Sequence, residues 1–256
     1  MVKKQWMRGL MTGLAIMLFA MGAIAQEKHI ILIDRDVVQP AMMGQYMQIS
    51  EEMAKGSLEH NYPAPYLCYS EDFEVEWVYI FENFSQLDAM HEKWTEFQER
   101  VGKEEVKDLV SQHMACVSQR SRMFAEYLPN LSYQPENPAF EFDKSKPFFC
   151  KVITYKIVPG KMYQVKEISQ KLNNLCREND IALGHQIYEV ISGNDLPALL
   201  VAIAGEDEAS ISKEIEKRDE KIGEEIYALY KECAPYLRGM ETHNLRYHPN
   251  LSYITW

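Results

Sequence analysis

A five-residue motif that occurs twice constrains the fold of this chain more than any other feature. Pro129–Tyr133 and Pro249–Tyr253 both read Pro-Asn-Leu-Ser-Tyr and lie 120 residues apart. Matching residues recur upstream at almost the same offset, for example Tyr69 and Tyr188. An ordered series of matches at a nearly fixed offset indicates the duplication of one unit. The 256 residues therefore predict two homologous halves.

The boundaries of these halves follow from the repeat and from the spacing of prolines. Residues 26–133 form the first predicted unit, and residues 148–256 form the second. Residues 134–147 contain Pro135, Pro138 and Pro147 among alternating charges, which is typical of a linker.

Residues 1–25 have the layout of a cleavable signal peptide. Lys3, Lys4 and Arg8 precede an apolar run, and small residues end the segment at Ala25. A membrane anchor is the alternative, but the apolar run is shorter than the roughly 20 residues of a spanning helix. Cleavage removes three positive charges, so the net charge changes from −11 to −14. We expect a periplasmic or secreted protein with no stable membrane insertion after cleavage.

Composition argues against several classes of function. The negative charge argues against a general nucleic-acid binder, whose surface would be basic. The sequence has no phosphate-binding loop, dinucleotide fingerprint or zinc-ligand spacing, so we expect no metal and no cofactor of these classes. The five cysteines are odd in number and include no Cys-x-x-Cys pair, which favours buried free thiols over a disulfide framework.

Hydrophobic periodicity predicts the order β-α-β-β-α-β in each half. The first strand ends in the polar Asp34-Arg35-Asp36, and Ser85 with Asp88 opens the second helix as a capping box. Gly102 and Gly223 interrupt the second helical stretch at matching places. The first-half elements are strand 29–33, helix 41–58, strands 66–69 and 75–81, and strand 121–127. In the second half, the corresponding strands include 185–190, 199–204 and 241–247.

This order of elements defines the fold class as α+β, with two tandem ferredoxin-like units. In each unit the two helices cover one face of the sheet and leave the other face bare. A bare apolar face must be buried. The economical solution is for the two sheets to face each other as an α+β barrel within one chain.

The segment Val152–Lys161 resembles the first strand and helix start of the dimeric α/β-barrel superfamily. The closest similarity is to its NIPSNAP-like and antibiotic-biosynthesis-monooxygenase-like members. Val38–Met42, the matching segment of the first half, lacks the glycine. The superfamily includes cofactor-independent oxygenases, haem enzymes and small-ligand sensors. The resemblance therefore implies a cavity, a small-molecule ligand and a homodimer as one state of assembly, and it does not define a reaction.

Aromatic residues on one strand supply the main candidate site. Trp77 and Tyr79 alternate with polar or aliphatic neighbours along the third strand, whereas the matching strand offers Leu199, Val201 and Ile203. One interpretation is complementary packing of large against small side chains. The other is a pocket floored by Trp77 and Tyr79 that binds a flat apolar or aromatic ligand.

Three residues of the second half complete the candidate ligand-binding set, namely Tyr155, His185 and His243, all on predicted strands. The resemblance also raises haem degradation, in which an asparagine on the first strand acts with a tryptophan and a histidine. Trp77 and His91 are present, but Asp34 stands where the asparagine is expected. The expectation from the residues is no haem.

Two functions remain open from the sequence. The leading prediction is an exported, non-catalytic protein that binds a small molecule or a partner, because no acid, base or nucleophile constellation is visible. The alternative is a cofactor-independent oxygenase-like enzyme that acts on an aromatic compound, since such chemistry needs few titratable groups.

Overall fold

The computed structural model describes residues 28–255, and its strands close into one barrel. The eight strands follow the order β1-β3-β2-β8-β5-β7-β6-β4, and every neighbouring pair is antiparallel. Two ferredoxin-like sheets thus face each other, and the helices cover the outside. This architecture confirms the predicted α+β barrel. The signal-peptide prediction falls on residues 1–25, which lie outside the described residues.

Each half contributes four strands, with its helices packed on the outer face of its own sheet. The elements of the first half are β1 Ile30–Val38, α1 Met43–Glu59, β2 Tyr66–Glu71, β3 Glu74–Phe81, α2 Phe84–Val101, α3 Lys103–Ala115 and β4 Val117–Tyr127. The elements of the second half are β5 Phe149–Ile157, α4 Met162–Glu178, β6 Gln186–Ser192, β7 Ala198–Gly205, α5 Glu208–Cys233 and β8 Leu237–Tyr247.

The two seams between the halves explain the repeated tyrosines. At one seam Tyr69 of β2 pairs with Tyr247 of β8, and at the other Tyr188 of β6 pairs with Tyr127 of β4. The ring centroids lie 5.6 Å apart in the first pair and 5.3 Å in the second. Each seam therefore carries the same aromatic contact.

The structure also shows which strand face looks into the barrel. Ile31 and Ile33 of β1 join Val152 and Leu200 in a core that fills the interior. The alternate residues, including Trp77 of β3 and Leu199 of β7, pack against the helices instead. Because side chains alternate along a strand, this choice fixes the orientation of every other residue.

The repeated Pro-Asn-Leu-Ser-Tyr motifs fasten each half to the other. Ser132 accepts a hydrogen bond from the Ile187 N–H, and Ser252 accepts one from the Cys68 N–H, both at 2.9 Å. Tyr133 then forms an isolated antiparallel β-bridge with His185 of the second half. Tyr253 forms the equivalent β-bridge with Tyr66 of the first half. The two tails are exchanged between the halves, and the serines bind backbone groups.

Four local predictions need correction. Strand β1 continues through Asp34-Arg35-Asp36 to Val38, because arginines on β4 pair with the two aspartates. The cap of α2 is Asn83, whose Oδ1 accepts from the Gln86 N–H, so Ser85 lies inside the helix. Strands β4 and β8 begin four residues earlier than predicted. In α5 the break is a kink at Ile222, whereas Gly102 separates α2 from α3.

The five cysteines are free thiols, and all but Cys150 are buried. Within residues 28–255, no helix combines the length and the hydropathy that a membrane span requires.

Candidate functional site

The helix-facing side of the first-half sheet carries two Asp–Arg pairs. Asp34 and Asp36 alternate along β1, and Arg122 and Arg120 lie opposite them on β4. Arg122 donates from Nε and Nη2 to Asp34, both at 2.6 Å, and Arg120 donates to Asp36 at 2.5 and 2.7 Å. These hydrogen bonds raise the pKa of both guanidinium groups, so the arginines stay charged.

Asp36 is the centre of a buried polar network. The Tyr46 hydroxyl donates to Asp36 Oδ2, and Trp77 Nε1 donates to the Tyr46 hydroxyl, both at 2.8 Å. The ring of His113 lies 4.2 Å from that of Tyr46, and its Nε2 is 3.2 Å from Ser50 Oγ. Burial lowers the pKa of His113 to about 4, so this imidazole is neutral near pH 7.

The second half has uncharged side chains at the places that these groups occupy. The strand register puts Tyr155 and Met240 where Asp36 and Arg120 stand, and Val201 where Trp77 stands. The surrounding core is apolar and includes Val165, Ile168 and Leu199. Since a buried ion pair seldom adds stability over well-packed hydrocarbon, the fold itself does not require the charges of the first half.

An open groove of about 740 Å³ lies between α2 and the first-half sheet, at the β4–β6 seam. Helix α2 contributes one wall and the strands contribute the floor. The lining residues are Ile30, Phe84, Leu87, Phe124, Glu126, Ile191 and Ser192.

A smaller cavity of about 250 Å³ adjoins this groove, and Leu87 belongs to the walls of both. Its other walls are Tyr62, Met90 and Trp94. The Tyr79 hydroxyl hydrogen-bonds to that of Tyr62, and burial raises the pKa of Tyr62 to about 12. Both tyrosines are therefore neutral donors at physiological pH.

The groove exists in the first half because of the residue that ends β3. Phe81 is buried beneath Leu87 and Met90 of α2 and keeps that helix away from the strands. The equivalent residue of β7 is Gly205, where an added Cβ would lie 2.5 Å from Ile211 of α5. Helix α5 consequently rests directly on its sheet.

Phe124 and Glu126 of β4 line the groove, and Arg122 follows them in the same row beyond the groove wall. Arg122, Phe124 and Glu126 share the helix-facing side, and the rise of a strand puts the outer two about 13 Å apart. Among residues 28–255, the Glu126 carboxylate is bound by the exposed Lys28, at 3.2 Å. An aromatic compound lying along Phe124 would meet a carboxylate at one end and a guanidinium near the other.

The structure brings together two of the five predicted site residues. Trp77 and Tyr79 lie between the first-half sheet and its helices. Tyr79 packs both against the core that contains Trp77 and against the Phe81 core beneath the groove. Trp77 itself is buried and hydrogen-bonded to Tyr46, so it packs behind the groove and is not one of its lining residues.

The other three predicted residues are scattered. Tyr155 faces the helices of the second half, near Tyr230. His185 precedes β6 and is bridged to Tyr133. His243 lies inside the barrel, where its Nδ1 is 2.8 Å from Glu71 Oε2. These three do not form a common site with Trp77 and Tyr79.

The residues do not fit haem chemistry or a metal. Arg122 Nε and Nη2 both donate hydrogen bonds to Asp34, and the Trp77 indole N–H donates to the Tyr46 hydroxyl. Across the part of the chain that the structure describes, no group of three His, Cys, Asp or Glu side chains could hold a metal ion.

The sequence prediction missed Asp34, Arg122 and Glu126. A signal was present, because Asp34 and Asp36 alternate on one strand while Arg120 and Arg122 alternate on another. The pairing becomes visible only when the sheet order places β1 beside β4.

Known structures resemble this chain in fold. A candidate monooxygenase from Lactobacillus acidophilus NCFM matches with a TM-score of 0.54 and 8% identity, over 86% of this chain and 94% of its own. An anthrone oxidase-like protein matches with a TM-score of 0.56 and 10% identity, over 90% and 93% of the two chains. The chain has the dimeric α/β-barrel fold.

A second candidate monooxygenase, from Fusobacterium nucleatum, matches this dimeric α/β barrel with a TM-score of 0.53 and 10% identity, over 86% and 93% of the two chains. No family model and no curated protein matches the sequence. The solved relatives are described as monooxygenase-like or oxidase-like, so the leading prediction of a non-catalytic protein is wrong and the oxygenase-like alternative is favoured.

Proposed function

We propose that this protein is a cofactor-independent oxygenase-like enzyme that acts on an aromatic compound bound in the first-half groove. The observation that carries the proposal is the combination of apolar walls, one loosely held carboxylate and neutral tyrosine donors beside a charged arginine. The matching layer of the second half is mainly aliphatic.

The substrate class that suits this arrangement is an aromatic carbon acid with an oxygen substituent. Glu126 takes the proton from carbon, and the resulting anion places its negative oxygen towards Arg122 and Tyr62. Preorganised donors of this kind stabilise a developing oxyanion. The anion then reacts with O₂, and the overall reaction converts a CH₂ group and O₂ into a C=O group and water.

Leu87 and Phe124 have a separate role, which is to hold the flat face of the substrate. A ligand site is usually apolar with a few polar groups that fix orientation. The anthrone oxidase-like neighbour suggests anthrone as the first compound to test.

The test is O₂ consumption and quinone absorbance with anthrone and the purified protein. We expect turnover above the buffer rate, and a loss of about 10²–10⁴-fold in Glu126→Gln if this carboxylate is the general base. Glu232→Gln is the matched control, because Glu232 pairs with Lys171 between the outer helices of the second half, away from the groove. Equal rates in wild type, Glu126→Gln and buffer would contradict the proposal.

We also propose that the enzyme acts outside the cytoplasm, on the basis of the signal-peptide pattern of residues 1–25. N-terminal sequencing of protein from cell fractions tests this, and a mature chain that begins at Gln26 in the exported fraction is the expected result.

A further inference from the structure

The aromatic side chains of the first half form a continuous series that starts at the small cavity. The ring of Trp94, on the cavity wall, lies 5.7 Å from that of Tyr62. Tyr62 lies 5.6 Å from Tyr66, and Tyr66 lies 5.6 Å from Trp77. Trp77 then donates its indole N–H to the Tyr46 hydroxyl at 2.8 Å.

The series ends at a group that can take a proton. The Tyr46 hydroxyl donates to Asp36 Oδ2 at 2.8 Å, and Arg120 binds Asp36 through two further hydrogen bonds. Tyr46 is fully buried and far from solvent. A phenol that loses an electron becomes a strong acid, so a carboxylate already in hydrogen-bond contact allows the electron and the proton to leave together.

The second half shows that the fold does not need this series. At the repeat offset, Ile181 and His185 replace Tyr62 and Tyr66, since each pair makes the same backbone hydrogen bonds. Val201 stands at the position of Trp77, and Val165 at that of Tyr46. None of these four positions keeps a tyrosine or tryptophan, and Tyr155 stands where the acceptor carboxylate Asp36 would be. The corresponding layer is mainly aliphatic.

We propose that Trp94, Tyr62, Tyr66, Trp77 and Tyr46 form an electron-transfer chain that carries an oxidising equivalent from the cavity to a buried tyrosine. The electron leaves Tyr46 and moves through Trp77, Tyr66 and Tyr62 to oxidised Trp94. The Tyr46 proton passes to Asp36, and Trp94 regains its own proton from solvent. The net change is one tryptophan radical reduced and one tyrosyl radical formed.

An oxidant for this chain follows from the proposed function, and only this part rests on it. An organic peroxyl radical in the groove would take one electron from Trp94 and one proton from solvent to become a hydroperoxide. The chain would then remove the oxidising equivalent from the substrate cavity and hold it on Tyr46, away from the groove walls.

Pulse radiolysis tests the chain without substrate or O₂, so its result is independent of the proposed function. Azidyl radicals generated in the pulse oxidise accessible tryptophan. A background with Trp6→Phe and Trp256→Phe leaves Trp94 as the accessible tryptophan, because Trp77 is buried. We expect the indolyl absorbance to decay as the tyrosyl absorbance grows, at a rate that does not depend on protein concentration and that is lower in D₂O.

Variants define the route. Tyr62→Phe should slow the transfer severalfold by removing the first hopping site, and Tyr46→Phe should abolish the isotope effect and lower the tyrosyl yield. Tyr163→Phe, at an exposed second-half tyrosine, should change neither. If Tyr46→Phe fails to fold, Tyr62→Phe alone decides. Indolyl decay that is only bimolecular, or equal transfer rates in wild type and Tyr62→Phe, overturns the proposal.

Discussion

The two halves share one backbone plan and differ in the layer between sheet and helices. In the second half this layer is mainly aliphatic, and α5 lies so close to β7 that Gly205 has no room for a side chain. In the first half Phe81 separates α2 from the strands, and aspartate, arginine and tyrosine side chains occupy the space beneath. The second half therefore serves as a control for the first, because it shows which residues the fold can do without.

The largest expected effect concerns the ion pair between the buried Asp36 and the solvent-exposed Arg120. Asp36→Ala leaves Arg120 and Tyr46 without their partner and should lower the free energy of unfolding by about 3–5 kcal/mol. The double variant Asp36→Leu with Arg120→Met replaces the ion pair with apolar side chains and should recover most of that loss. Urea denaturation measures both, and a double variant no more stable than Asp36→Ala would show that the first half needs its charges for folding.

The next prediction tests whether helix α5 can move away from strand β7 in the second half. Gly205→Ala places a Cβ against Ile211, and overpacking of this kind typically costs about 1–3 kcal/mol. Gly44→Ala, in a helix with nothing near the added atom, is the matched control and should be neutral or stabilising. Thermal denaturation distinguishes them, and equal melting temperatures would mean that α5 moves away freely.

A third prediction compares the two exchanged tails. Ser252→Ala and Ser132→Ala each leave a backbone N–H of the other half without its acceptor, at a cost of about 1–3 kcal/mol. We expect similar losses, measured by chemical denaturation, because the two contacts have the same 2.9 Å geometry. A loss confined to one variant would show that the seams are not equivalent.

The last prediction is a pH dependence to which both halves contribute, and it is the smallest effect near neutral pH. Burial lowers the pKa of His113 and of His185 to about 4, so each binds its proton more readily when unfolded. Stability from these residues is complete above the ordinary histidine pKa of about 6.5 and falls as pH drops towards 4, by up to about 1.4 kcal/mol per pH unit for each. His113→Phe should reduce the slope of unfolding free energy in this range, and an unchanged slope would contradict the assignment.

The fold was accessible from the sequence because its signals are local or repeated. Alternating strands, helical periodicity and the fixed offset each appear in a short window of residues. The repeat then predicted that two bare sheet faces would cover each other. The cap at Asn83 shows the limit, since Asn83 and Ser85 are both good capping residues and only the chain path chooses between them.

The candidate site was less accessible because its geometry is long-range. Arg122 binds Asp34, which lies 88 positions earlier in the chain. The alternating charges of each segment do not identify the other segment as its partner strand. The face of β3 that carries Trp77 was also ambiguous, because both faces of the neighbouring strands mix polar and apolar residues. The strand order of the closed barrel determines both the partner of Asp34 and the side of β3 on which Trp77 lies.

The exchange of tails has a consequence for the timing of folding. Tyr66 of β2 receives its last backbone partner from Tyr253, and Leu251 and Tyr253 belong to the same core as Tyr46 and Trp77. The groove-bearing half is therefore incomplete until the ribosome has passed residue 253, although its own strands and helices are finished by residue 127. A nascent chain of this design lacks part of its first-half core for most of its synthesis.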